Sequence, residues 1–128
     1  MLAAAACEKP APEVVEEQLR VSFSNVAGEW DLTEWKGNAV EPGTVVVKLN
    51  RDKTFTLTQT VGSMYPTEYT GEYNLVEEEG RGTAIRGIYD YTYEYWEHKY
   101  IVTSLTGSKM EWTSEDDAED VYIYCRID

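Results

Sequence analysis

The sequence predicts an all-β domain: a single antiparallel, up-and-down barrel of eight strands with a short N-terminal helix. Three observations carry this expectation. Runs of alternating apolar and polar residues recur along the chain, joined by connections of hairpin length. No helical pattern between them is long enough for a parallel crossover. Ten Tyr and four Trp stand against two Phe, and rings with an apolar body and a polar tip suit strands and half-wet surfaces. With 128 residues the chain has room for one domain around one core.

Glu13 to Leu19 is the expected helix, since Pro12 can start it and Val14, Val15 and Leu19 share a face. The first strand, Gly28 to Trp35, carries Trp30 and Leu32 on one side. Thr44 to Leu49 carries Val45, Val47 and Leu49, and a tight turn at Asn50 to Lys53 follows. Thr54 to Val61 places Phe55, Leu57, Gln59 and Val61 inward and four threonines outward. Glu68 to Leu75 aligns Tyr69, Gly71, Tyr73 and Leu75. Thr83 to Tyr91 aligns Ile85, Gly87 and Tyr89. Lys99 to Leu105, Lys109 to Ser114 and Asp120 to Arg126 complete eight strands, with a hairpin turn at Thr106 to Ser108. Closing eight strands on themselves removes exposed edges, and Gly71 and Gly87 fit sharp bends of a small barrel.

The net charge of −13 repels phosphate backbones, so nucleic acid is excluded as a partner. The acidic runs Glu77 to Glu79 and Glu115 to Asp120 read as solvated hairpin loops. They lack calcium-loop grammar, and no metal or other cofactor is expected. The two cysteines, Cys7 and Cys125, have no spacing for zinc or thioredoxin chemistry.

Cys7 follows Ala4-Ala5-Ala6, which resembles a bacterial lipobox, where the cysteine becomes the lipid-bearing first residue. Leu2 lies further back than the usual lipobox apolar residue, and the basic and apolar parts of a signal peptide would lie upstream. Pro10 and Pro12 then read as an extended tether. The chain thus divides into a signal remnant, lipobox and tether over 1–12 and a barrel domain over 13–128. Lipidation at Cys7, in preference to a disulfide with Cys125, would hang the domain on the cell envelope. It would be an outer-membrane or cell-surface lipoprotein that meets the membrane through the lipid anchor only.

Gly28-Glu29-Trp30 at the start of the first strand resembles the G-x-W signature of the lipocalin and fatty-acid-binding (calycin) group. More narrowly, the chain resembles short lipocalin-like lipoproteins of Bacteroidetes. The resemblance implies that Trp30 closes one end of the barrel beneath Arg126, with the guanidinium over the indole face. The lipocalin Thr-Asp-Tyr motif has no match, and no flanking helix follows the last strand.

The single histidine, His98, reads as a surface residue at a strand start, since no motif supplies a nucleophile beside it. There is no G-x-S-x-G, P-loop or H-E-x-x-H, and no catalytic residue is expected. The expectation is therefore a binder and not an enzyme. Tyr89, Tyr91, Tyr93 and Tyr95 alternate, which puts them on one side of an extended chain beside Trp96. Together with Tyr73 and the inward Gln59 they are the candidate ligand contacts. The ligand would be a small lipid-like or amphipathic molecule at the barrel mouth. The alternative is a glycan or a protein on an exposed tyrosine face. The bulky inward set predicts a narrow or partly filled interior rather than a wide lipid cavity.

Overall fold

The computed structural model describes residues 17–60 and 65–128. One helical turn, α1 (Phe23–Val26), precedes nine strands. They are β1 (Gly28–Trp35), β2 (Asn38–Ala39), β3 (Val45–Leu49), β4 (Thr54–Gln59), β5 (Thr67–Glu78), β6 (Gly82–Tyr89), β7 (Tyr100–Leu105), β8 (Lys109–Ser114) and β9 (Val121–Arg126). Every strand of the wall pairs antiparallel with its neighbours in chain order, and β1 also pairs with β9. The two-residue β2 only folds back on the end of β1. The wall is thus a closed up-and-down barrel of eight strands.

The period-two pattern sets which side chains enter the barrel. Phe55 and Leu57 on β4 face inward beside Leu49 and Val47 of β3, their register partners. One extra residue at Thr33 shifts the β1–β9 register, so Trp30, Leu32 and then Trp35 share a side. On β9 the inward residues are Tyr122, Tyr124 and Arg126.

Three local expectations need correction. Glu13 to Glu16 lie outside the described residues, and Glu17 to Leu19 is not helical. Its Leu19 N–H donates instead to the Leu105 carbonyl at 2.7 Å. The helical turn lies later, where the Ser22 side chain accepts from the Asn25 N–H at 3.2 Å and so caps α1. The acidic run at Glu77 is not all loop, because Glu77 and Glu78 extend β5 in pairing with Thr83 and Gly82. In the second run Asp120 is buried, and accepts from the Trp35 indole at 2.9 Å. Gly71 and Gly87 serve close approach more than curvature. A Cβ at Gly71 would lie 2.0 Å from the Ile88 carbonyl oxygen, and one at Gly87 would lie 2.2 Å from the Trp96 ring.

One end of the barrel is sealed around Trp30, which is fully buried. Its indole N–H donates to the Val26 carbonyl at 2.9 Å, which ties α1 across the opening. The Arg126 guanidinium lies 4.4 Å from the Trp30 ring centroid. It also donates to the carbonyls of Gly107 (2.7 Å), Ala27 (2.9 Å) and Asn25 (3.2 Å). Gly28 is required here: its φ is +144°, and a Cβ would lie 2.2 Å from Arg126 Nη1. Tyr73 belongs to the same closed end. It packs on Phe23 at 5.6 Å and donates its hydroxyl to the Asn50 carbonyl at 2.8 Å.

Cys125 is buried on β9, 3.4 Å from the Thr33 hydroxyl, and is not a free thiol. Cys7 and the tether lie outside the described residues.

Candidate functional site

At the end opposite Trp30 the barrel holds a cavity of about 490 Å³. That is within the range of small-molecule sites, roughly 300–1,000 Å³. The inward faces of β3 and β4 supply Val45, Val47, Leu57 and Gln59. The facing wall is Trp112, Tyr122 and Tyr124 from β8 and β9, continued by Leu32 and Trp35 of β1. Val40, Thr44 and Glu97 stand at the rim. The interior is partly filled: Trp30, Leu49 and Phe55 are fully buried and line no part of the cavity.

Trp96 forms much of the inner floor, and its position depends on a chain reversal. After β6 the chain turns over 90–94, with Tyr93 in the left-handed region at φ +59°. The Tyr93 N–H donates to the Tyr89 carbonyl at 2.8 Å, and the Tyr89 N–H to the Glu94 carbonyl at 2.9 Å. Tyr95 returns opposite Ile88, and the Trp96 N–H donates to the Gly87 carbonyl at 2.7 Å. The Trp96 ring then crosses the bare backbone of Gly87 into the barrel. There it meets Phe55 edge-on at 5.1 Å and stacks near Trp112 at 5.9 Å.

This turn breaks the expected tyrosine row. Of the four alternating tyrosines only Tyr89 lines the cavity. Tyr91, Tyr93 and Tyr95 are 59%, 79% and 60% exposed, outside the cavity. Tyr91 leans on Tyr69 at 5.9 Å, and Tyr95 lies under the Arg86 guanidinium at 4.4 Å. Tyr73 is not at the mouth but at the closed end. Of the candidate contacts, Gln59, Tyr89 and Trp96 are brought together, whereas Tyr73, Tyr91, Tyr93 and Tyr95 are not. Replacing Tyr91, Tyr93 and Tyr95 together by Ser is expected to cost under about 1 kcal/mol, as exposed substitutions do. A urea melt showing a larger loss would place those rings in the core.

Sequence reasoning missed Trp35, Thr44, Tyr122 and Tyr124. The β9 pair was readable from its alternation with Arg126. Trp35 was not, because the extra residue at Thr33 reverses the parity of β1.

The aromatic wall is continuous. Tyr100 stacks on Trp112 at 5.4 Å, Trp112 meets Tyr124 at 4.7 Å, and Trp35 stacks on Tyr122 at 6.0 Å. Behind it the Asp120 carboxylate accepts from the Trp35 indole and, at 3.5 Å, from the Tyr122 hydroxyl. Gln59 makes no side-chain hydrogen bond to a described residue. The indole N–H groups of Trp96 and Trp112 are also unpartnered among the described residues. Both nitrogens are buried, so neither meets a ligand without rearrangement.

Burial pushes the phenols of Tyr100 and Tyr124 above the ordinary tyrosine range, and their tyrosine neighbours and Asp120 add to the effect. Burial, with a smaller contribution from the Asp52 charge, pushes Tyr73 up to about 12. A phenol raised by folding stays protonated in the barrel at a pH where the unfolded chain ionises. Stability from this source is therefore intact below about pH 10, the unfolded value, and declines above it. For Tyr73 the decline runs from there to about 12. The urea midpoint should fall between pH 9 and pH 11; an unchanged midpoint would show that these phenols ionise freely in the fold.

His98 sits beside the rim, with Nδ1 3.4 Å from Asp116 and Nε2 3.5 Å from Glu97. No cluster able to hold a metal occurs among the described residues.

Barrel order, the Trp30–Arg126 closure and the open far end together define a lipocalin-like fold. Among solved structures, the chain is similar to a lipocalin-like protein from Bacteroides uniformis. The TM-score is 0.56 at 16% identity, and the match covers 80% of this chain and 97% of the other. No family model and no curated protein sequence matches the chain.

Proposed function

We propose that this protein is a non-enzymatic binding module that holds one small apolar or amphipathic ligand in the open end of its barrel. The observation that carries the reading is the cavity of about 490 Å³, walled by aromatic and aliphatic side chains. Among its polar side chains Gln59 and Thr44 suit orienting a ligand, and Glu97 stands at the rim. Native mass spectrometry of the purified protein, with titration of the neutral probe N-phenyl-1-naphthylamine, tests the reading. The expected result is a co-purified small molecule or saturable one-to-one probe binding that Gln59→Trp abolishes. No bound mass and no probe binding would overturn it.

A second reading rests on the exposure of Tyr91, Tyr93 and Tyr95 beside Tyr69: a glycan or a protein surface stacks on that turn. The triple Ser variant separates the two. It leaves cavity binding unchanged under the first reading and abolishes glycan-array or partner binding under the second.

The same proposal places the module on the cell envelope through lipidated Cys7. The Ala4-Ala5-Ala6-Cys7 run and the proline tether support it. A thioether at Cys7 consumes its sulfur, so lipidation and a Cys7–Cys125 disulfide exclude one another; Cys125 is not a free thiol in the structure, and the anchor reading rests on the sequence alone. Expressed behind a complete signal peptide, the protein should fractionate with membranes, and Cys7→Ser should release it. Equal membrane recovery of both, or an intact-mass value showing the disulfide and no acyl chains, would refute the anchor.

A further inference from the structure

From the charge of its walls, and resting on the cavity reading above, we infer that the barrel selects organic cations: a flat aromatic body carrying an ammonium group, in preference to fatty acids or other carboxylates. Three observations converge. The described lining contains no Lys, Arg or His, so nothing within the cavity would pair with a carboxylate. Its one charged side chain is Glu97, 90% exposed at the rim and able to meet an ammonium as it enters. A second carboxylate, Asp120, is buried directly behind Trp35 and Tyr122, and its field reaches the cavity phenols.

The aromatic surface acts in the same direction. Ring faces carry negative quadrupole density, and a desolvated cation over Trp or Tyr is held without a formal counter-ion. Trp35, Tyr100, Trp112, Tyr122 and Tyr124 offer such surface around one space. A carboxylate there would meet the same faces with the wrong sign and would lose its water without compensation. Gln59 has no side-chain hydrogen bond among the described residues, and its carbonyl oxygen can face a cationic head.

The nearby cations do not reverse this balance. Lys36 lies 5.4 Å from the Trp35 ring but is exposed outside the mouth. Lys99 is held by Glu78 at 3.1 Å and Glu115 at 3.6 Å. His98 stands between Glu97 and Asp116. The long-range field of a chain with net charge −13 also favours entry of cations.

The test is calorimetric titration with three probes sharing one ring system: 2-naphthylmethyl-trimethylammonium, 2-naphthylmethanol and 2-naphthylacetate. Titration at pH 8 in about 0.15 M salt, where the Debye length is about 8 Å, suppresses loose attraction to the outer surface. The expected order is cation, alcohol, carboxylate. The cation should bind at least about tenfold tighter than the carboxylate, a separation of about 1.4 kcal/mol. Glu97→Gln should narrow that gap by about two- to threefold, as removal of an exposed rim charge does. Gln59→Trp, which fills the cavity from the end of β4, should abolish cation binding.

If the carboxylate or the alcohol binds as tightly as the cation, charge selection is refuted while the cavity remains a ligand site. If cation binding survives Gln59→Trp with the fold intact by circular dichroism, the cation is held on the acidic exterior and the inference falls. If none of the three binds, the inference falls; the cavity reading is judged separately, by the bound mass and the N-phenyl-1-naphthylamine titration.

Discussion

Trp30→Ala should cost about 3–5 kcal/mol in a urea melt, the range for truncating a buried Trp. Trp30 is fully buried, its indole N–H holds α1 through the Val26 carbonyl, and its ring lies beneath Arg126. Truncation removes the ring, the hydrogen bond and the stacking surface together. It also leaves a guanidinium whose remaining contacts are loop carbonyls and the Asp128 carboxylate at 3.4 Å. A loss of this size is a large share of the roughly 5–15 kcal/mol that holds a typical domain. A loss under about 1 kcal/mol, the level of an exposed substitution, would contradict the closure described above.

The second large effect is expected at Gly87. Its Cβ position lies 2.2 Å from the Trp96 ring, closer than any real contact, so Gly87→Val must drive that ring off the strand. Overpacking of this kind costs about 1–3 kcal/mol. The displaced ring is also the inner floor of the cavity. The variant should therefore combine a lower urea midpoint with increased acrylamide quenching of tryptophan fluorescence, and lose binding of the naphthyl probes. Unchanged stability and unchanged quenching would mean that Trp96 does not lie across Gly87.

These two sites mark what was legible in the sequence and what was not. The strand spans follow from period-two alternation, and β1 and β8 have the expected limits. Gly28, Trp30 and Arg126 meet as the G-x-W resemblance implies, because that signature encodes a contact between the two ends of the barrel. Gln59 faces inward because a polar residue in an otherwise apolar row keeps its parity. The tyrosine segment failed for a reason of backbone chemistry. Alternation is informative only while the chain stays extended, and Tyr93 turns it back with a positive φ that no Gly or Asn announces. The placement of Trp96 over Gly87 was equally hidden. It requires knowing that the chain reverses between them, and the glycine reads as a bend until the ring that occupies its missing side chain is seen. Tyr73 was correctly inward, but alternation says which face a residue takes and nothing about which end of the barrel it serves.

The docking of the N-terminal segment sets the end of the barrel from which the upstream chain leaves. Leu19, α1 and the last strand all converge on the sealed end, where Leu19 bonds the Leu105 carbonyl and Arg126 holds Asn25 and Ala27. A chain anchored upstream would thus be held by its base, like a cup set on a surface. The lip bearing Glu97, Thr44 and Val40 would then point away from the bilayer into the surrounding medium. Solutes would be sampled from the aqueous side, with no need for the ligand to pass through the lipid headgroups.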